Sequence, residues 1–104
     1  MNDASPSTAA QNRLACRLKA IADPLRLAIL QRLPPNADDC DQLYNVSELA
    51  EEIGVAQSTI SHHLRHLRQA GLVDCRKMCR DVYYWVNHDA VSDLLDEFGA
   101  LLQP

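Results

Sequence analysis

Residues 46–73 read VSELAEEIGVAQSTISHHLRHLRQAGLV, and the spacing inside this stretch decides the fold. Ala50 stands four residues before Gly54, and Ile60 follows six residues after it. A helix-turn-helix needs those residue types at those places. It wants a small side chain where two helices cross closely, a glycine at the turn, and a β-branched core residue in the second helix. Ser47 is a suitable N-cap for a short first helix, Glu48 to Ile53, whose acids suit its positive end. Gly54 ends that helix where a left-handed residue is wanted. The second helix runs from about Gln57 to Gln69, with Ile60, Leu64 and Leu67 pointing inward and Gly71 at its end.

Downstream, residues 72–77 (LVDCRK) and 82–86 (VYYWV) are two short runs, the second β-branched and aromatic, and they predict a hairpin. A last helix carries Val91, Leu94, Leu95, Phe98, Leu101 and Leu102 on one stripe. Upstream, Leu14, Leu18 and Ile21 recur at helical spacing until Asp23-Pro24 breaks and restarts the helix. Leu25, Ile29 and Leu33 form the next stripe, stopped by Pro34-Pro35, and an acidic loop with Cys40 follows. The order is α-α-α-α-β-β-α, mostly α with a small β-hairpin. A helix-turn-helix followed by a basic hairpin is a winged helix-turn-helix.

The chain has 104 residues, the size of one small domain, which excludes a cleft built between two domains. A hydrophobic fraction of 47% and a charged fraction of 23% exclude wholesale disorder and collagen-like repeats. Residues 1–11 are expected to form a disordered leader and residues 12–104 the domain. The leader has no basic and apolar regions of a secretory signal, and no apolar run approaches the roughly 18 residues of a membrane span. With four irregularly spaced cysteines and no disulfide framework, a cytoplasmic protein with reduced thiols is expected.

The net charge of −4 argues against nucleic acid as a partner until its distribution is read. From Ser58 to Arg80 there are five basic residues (Arg65, Arg68, Arg76, Lys77, Arg80) and one acid, Asp74, a net of +4. The remainder holds five basic and thirteen acidic residues, a net of −8. One contiguous third therefore presents a basic face suited to a polyanion. With Ile60, Leu64 and Leu67 buried, the opposite side of the second helix shows Gln57, Ser58, Ser61, His62, Arg65 and Arg68. Gln, Ser, His and Arg can hydrogen-bond base edges in the major groove, and Ser61, His62 and Arg65 are the strongest candidates. Ser58 and Thr59 suit phosphate contact at the helix N-terminus. Arg76, Lys77 and Arg80 suit backbone phosphates, which position rather than specify. His63 is expected to pack or cap. The expected partner is double-stranded operator DNA.

The strings KAIADPLRLAILQRL (19–33), VSELAEEIGVAQSTISHHLRHLRQAGLV (46–73) and DVYYWVN (81–87) resemble the ArsR/SmtB family of bacterial winged-helix repressors. The resemblance spans about Leu14 to Leu102. It implies a homodimer that leaves its operator when a metal, metalloid or oxidant meets cysteines or other ligands. It also implies a dimer interface from the first helix (Leu14, Leu18, Ile21) and the last (Val91, Leu94, Leu95, Phe98, Leu101, Leu102). Apolar side chains on those helices exceed what one thin domain covers, which agrees.

Departures from the family bear on the inducer. The last-helix zinc pattern is missing, since HDAVSDLLDEFGALLQP (88–104) holds no second histidine. Asn45 and Ser47 stand where an arsenite-binding branch has cysteines, and the cysteine pair of a persulfide-sensing branch is missing. Four candidates for metal binding or thiol sensing remain, Cys16, Cys40, Cys75 and Cys79. Cys40 lies between Asp39 and Asp41, whose charge keeps a thiol protonated and sluggish. Cys75 and Cys79 lie among Arg76, Lys77 and Arg80, a setting in which thiols meet oxidants and soft metals. Residues four apart on one strand are roughly 13 Å apart, so this pair meets only if Cys79 sits in a turn and folds back. Cys16 can join Cys40, or a cysteine of the other subunit, in a three-thiolate site for As(III). A buried small hydrophobe is the alternative role for each cysteine. His62 and His66 offer zinc or nickel ligands, but on a face that must also read DNA.

The functional expectation is a transcriptional repressor released by a thiophilic ion such as As(III) or Cd(II). The alternatives are a redox-responsive or metal-independent regulator of the same fold and, from another class, a small thiol enzyme. The enzyme reading lacks a Cys-x-x-Cys motif, a histidine base beside a nucleophile, and room for a pocket.

Overall fold

The computed structural model describes residues 6–35 and 44–103. Its elements are α1 (Pro6–Ile21), α2 (Pro24–Arg32), α3 (Val46–Ile53), α4 (Gln57–Gln69), β1 (Val73–Met78), β2 (Asp81–Val86) and α5 (His88–Leu101). This is the order expected for a winged helix-turn-helix. Helix α1 starts earlier than expected, so residues 6–11 of the presumed leader are helical. Pro6 suits a first helical position, and Ala9 and Ala10 are the strongest of helix formers, so the Leu14 helix extends backward through them. Residues 1–5 of that leader, and Cys40, lie outside the described residues.

Caps set the helix starts. Asp23 accepts hydrogen bonds from the backbone N–H of Leu25 (2.8 Å) and Arg26 (3.2 Å) and opens α2. For α3 the cap is Asn45 rather than Ser47. Asn45 accepts from the Glu48 N–H at 2.8 Å while the Glu48 carboxylate accepts from the Asn45 N–H at 3.0 Å. The physical reason is the reciprocal box: an acid stands three residues after Asn45, whereas Ala50 stands three after Ser47.

Gly54 caps α3 at φ 87°, a left-handed conformation, and its N–H returns to the Ala50 carbonyl at 2.8 Å. The chain then turns into α4, which lies across α3 over the small Ala50. Ile60, Leu64 and Leu67 of α4 are fully buried, with Ile29, Leu49, Leu72 and Val73 around them. At roughly 1.5–3 kcal/mol for each buried aliphatic, three such residues rival the whole stability of a small domain. The rotation of α4 about its axis is therefore fixed, and so is its outer face.

Strands β1 and β2 pair antiparallel from Val73↔Val86 to Met78↔Asp81, leaving Cys79 and Arg80 as a two-residue turn. Cys79 has φ 59°, and positive φ at the first turn residue alone is the type II′ pattern, which favours glycine. The hairpin base is tied down three times. The Tyr84 N–H donates to the Tyr44 carbonyl (3.2 Å), Val86 to Pro34 (2.9 Å) and Asn87 to Leu72 (2.9 Å). The Tyr44 hydroxyl also bonds the Glu52 carboxylate, which raises its pKa. Arg32 Nε approaches Glu52 at 3.3 Å as a charge contact rather than an aligned hydrogen bond.

Helices α1 and α5 meet through an Arg17–Glu97 pair at 3.4 Å. The expected interface stripe divides here. Leu14 (5% exposed) and Leu94 (2%) belong to the core of the single chain, and Leu18, Ile21 and Val91 are half-buried against it. Leu95, Phe98, Leu101 and Leu102 remain open, with Leu102 69% exposed. Leu14 and Leu94 were expected at a dimer contact. They are instead absorbed because α1 and α5 pack on each other.

A Cβ added at Gly54 would meet nothing within 4 Å, so its substitution costs only backbone strain. Gly54→Ala should destabilise by about 1 kcal/mol and Gly54→Val by more, with Gly54→Asn the mildest. Urea unfolding of the three variants checks that order, and an alanine variant as stable as the parent would contradict it.

Candidate nucleic-acid interface

Burial of the α4 stripe turns the rest of the helix to solvent. Gln57, Ser58, His62, Arg65 and Arg68 are exposed, and Thr59 and Ser61 are half-buried at the flanks. Ala56 precedes the helix without a side-chain cap, and its carbonyl accepts from the Thr59 N–H at 3.1 Å and the Ile60 N–H at 3.2 Å. Gln57 Nε2 donates to Ser47 Oγ at 3.4 Å across the turn. Arg76 and Lys77 on β1 and Arg80 in the hairpin turn are exposed on the wing. The expected DNA residues are thus spread over one helix face and the wing tip.

The cations of α4 and the wing, like Arg13 and Lys19 of α1, belong to no ion pair among the described residues. Among the described residues the ion pairs are Arg17–Glu97 and Arg32–Glu52. Neither involves α4 or the wing, so Arg65, Arg68, Arg76, Lys77 and Arg80 have no described carboxylate within 4.0 Å. Arg76 makes only a weak contact with the Met78 sulfur at 3.8 Å. Unpaired guanidinium and ammonium groups in water have no protein partner to lose when phosphate arrives.

His63 does not project with His62. Its Nδ1 accepts from Arg26 Nε at 2.9 Å, and Arg26 Nη1 donates to the Ala20 carbonyl at 3.2 Å. Because arginine only donates, Nδ1 carries a lone pair and the neutral ring holds its proton on Nε2. Arg26 thereby ties the last turn of α1 to the recognition helix, a role no local pattern around Arg26 signalled. His62 stacks edge-on against His66, with ring centroids 4.6 Å apart. Burial, followed by the charge of Arg26 and neighbouring cations, lowers the His66 pKa. That positive surround also opposes a divalent ion at the His62/His66 pair.

The cysteines are dispersed. Cys16 is exposed on α1 and lines a cleft of about 390 Å³ with Lys19, Arg26, His66 and Gln69. Cys75 is half-buried on β1 opposite Tyr84, and Cys79 is exposed in the turn. Among the described residues no three His, Cys, Asp or Glu side chains gather as a metal site. Two residues that the sequence did not single out border the exposed polar face of α4. Gln69 and Tyr84 line a cleft of about 400 Å³ with Ser61, Leu64, Arg65 and Arg68. Alternation along β2, which puts Tyr84 on the same side as Val82 and Val86, was the available signal for Tyr84.

The family model described as bacterial regulatory protein, arsR family, matches residues 23–74. An uncharacterized HTH-type transcriptional regulator of Methanocaldococcus jannaschii is 38% identical over 77 residues, covering 74% of this chain and 81% of that protein. The HTH-type transcriptional regulator NmtR of Mycobacterium tuberculosis is 40% identical over 85 residues, covering 82% of this chain and 66% of NmtR. Among solved structures, NolR from Sinorhizobium fredii superposes with a TM-score of 0.68 at 31% identity, over 98% of this chain and 97% of that one. A homodimeric winged helix-turn-helix DNA-binding domain from Mycobacterium bovis gives 0.73 at 25% identity, over 96% and 89%.

His66 makes stability depend on pH in a defined direction. Its folded pKa lies below the ordinary 6.5, so the unfolded chain takes up the proton first as pH falls. The contribution is complete above about pH 6.5 and declines as pH drops from there toward the lowered folded value. Urea midpoints across this range should fall less steeply for His66→Gln than for the parent, and parallel curves would contradict the assignment.

Proposed function

The chain belongs to the arsR family of bacterial regulatory proteins and is a DNA-binding transcriptional regulator rather than an enzyme; from that premise we propose that it is a homodimeric repressor released from operator DNA by a thiol-directed inducer. The observation that carries the DNA-binding part is the run of exposed cations on α4 and the wing, with no carboxylate partner among the described residues, beside the exposed polar face of α4. Gln57, Ser61, His62 and Arg65 read base edges, Ser58, Thr59 and Arg68 flank them, and Arg76, Lys77 and Arg80 hold backbone phosphates. The two-fold contact uses the open part of α5, Leu95, Phe98, Leu101 and Leu102, with the outer side of α1. Two α4 helices related in this way address half-sites about one helical turn apart.

Repression works by occluding a promoter. Release follows when the inducer favours a dimer whose two recognition helices no longer match that spacing. An As(III) or Cd(II) ion needs several soft ligands. Among the described residues no such set lies within one chain, so Cys16 would need Cys40 or a cysteine of the second subunit. The exposure of Cys16 and Cys79 as separate thiols favours a second reading, in which an oxidant acts on one thiol without a metal.

Two experiments test this function. Arg65→Ala with Lys77→Ala should weaken binding to the chain's own upstream promoter DNA by about a hundredfold or more, with fold and dimer unchanged. Unaltered affinity in a fluorescence-anisotropy titration would sink the DNA reading. Separately, arsenite, cadmium or peroxide should release the reduced protein from that DNA, and at least one single Cys→Ser change should abolish the response. Normal release by all four single variants and the quadruple would exclude the thiols.

A further inference from the structure

With α4 in a major groove and the wing on backbone phosphates, as proposed above, a sugar-phosphate strand bordering that groove runs past the junction of α4 and the hairpin. The protein has a cleft of about 400 Å³ at that passage, with Ser61, Arg65, Arg68 and Gln69 on the α4 wall and Tyr84 on the β2 wall. Arg68, Gln69 and Tyr84 bring a guanidinium, an amide and a hydroxyl to it, a donor-rich set suited to phosphate oxygens. Neither arginine has a described carboxylate partner within 4.0 Å.

The β2 wall is held firmly. The Tyr84 ring packs against the buried core, its backbone N–H is bound by the Tyr44 carbonyl at 3.2 Å, and its strand partner is Cys75. Burial raises the Tyr84 pKa, and Arg68 is close enough for its charge to act on the phenol. A phenol with a raised pKa is protonated at neutral pH, so it offers a donor beside the Arg68 charge.

We propose that the cleft between α4 and β2 seats one backbone phosphate of bound DNA, with Arg68 as its charge partner and Tyr84 as a positioning donor. This rests on the DNA-binding function proposed above. It makes Tyr84 and Arg68 contributors to affinity that do not read sequence. Ser61 and Arg65, nearer the helix start, remain free to face base edges.

The test uses the full chain with two duplexes, its own upstream promoter DNA and a scrambled duplex of the same length and composition. Arg68→Gln should weaken binding to both by a similar factor, roughly tenfold, and lower the slope of log affinity against log salt by about 0.9 per subunit. Arg68→Lys should restore most of that slope. Tyr84→Phe keeps the ring in the core and should cost roughly threefold to tenfold on both duplexes with the slope unchanged. Thermal melts of the three variants verify that each is folded. Unchanged affinity in both Arg68→Gln and Tyr84→Phe would overturn the seat. A loss confined to the promoter duplex would overturn it too, because that would mean base reading. A loss in Arg68→Gln with none in Tyr84→Phe would overturn the part assigned to Tyr84. A parent protein that binds neither duplex would overturn the DNA-binding function itself, before any variant is compared.

Discussion

The structure depends on the turn at Gly54. Its left-handed backbone lets the chain leave α3 and enter α4 while the Gly54 and Val55 N–H groups both return to the Ala50 carbonyl. A helix laid across another so closely must bury one stripe completely, and Ile60, Leu64 and Leu67 are that stripe. Everything exposed on α4 is then determined, since side chains on a helix keep their angular places. The residues proposed to face DNA are the complement of the core, and a change in the turn would re-aim all of them together.

Charge follows the same division. A chain with a net charge of −4 places five cations and one acid between Ser58 and Arg80, and the ion pairs among the described residues lie on other elements. The separation keeps the protein acidic as a whole while one face can displace counterions from a phosphate backbone. Arg26 is the exception that links the two regions. It bridges the end of α1 to His63 on α4, so these two helices are joined through hydrogen bonds as well as packing. The open apolar end of α5, with Leu102 at 69% exposure, is the surface the proposed two-fold contact would cover.

Much of this was legible because it is local. Ala50, Gly54 and Ile60 announce the turn, and a stripe three or four residues apart announces α4, with no need to know what packs on them. The cap of α3 was legible in principle, since Glu48 completes a box only with Asn45, yet Ser47 is an equally good cap in isolation. The backward extension of α1 to Pro6 lay in a tract whose serines and asparagine read as disordered, although Ala9 and Ala10 favour helix. What the sequence could not disclose is long-range. Leu14 and Leu94 look like interface residues until α1 and α5 are seen packed together. Tyr84 reads as a strand aromatic until β2 is placed beside α4, and Arg26 gives no sign of reaching His63. Cys79 was more legible: it falls between the two strand runs, at a wing position where the resembled family often has glycine, and the structure gives it a left-handed turn conformation.

Hydroxyl-radical footprinting of the upstream promoter DNA tests the central claim most directly, because it reads helix, wing and two-fold axis in one pattern. A dimer presenting two α4 helices and two wings should protect two symmetric segments on one side of the duplex. Their centres should lie about 10 base pairs, or a multiple, apart. Uniform cleavage at saturating protein, or one isolated protected segment without a symmetric mate, would contradict the account.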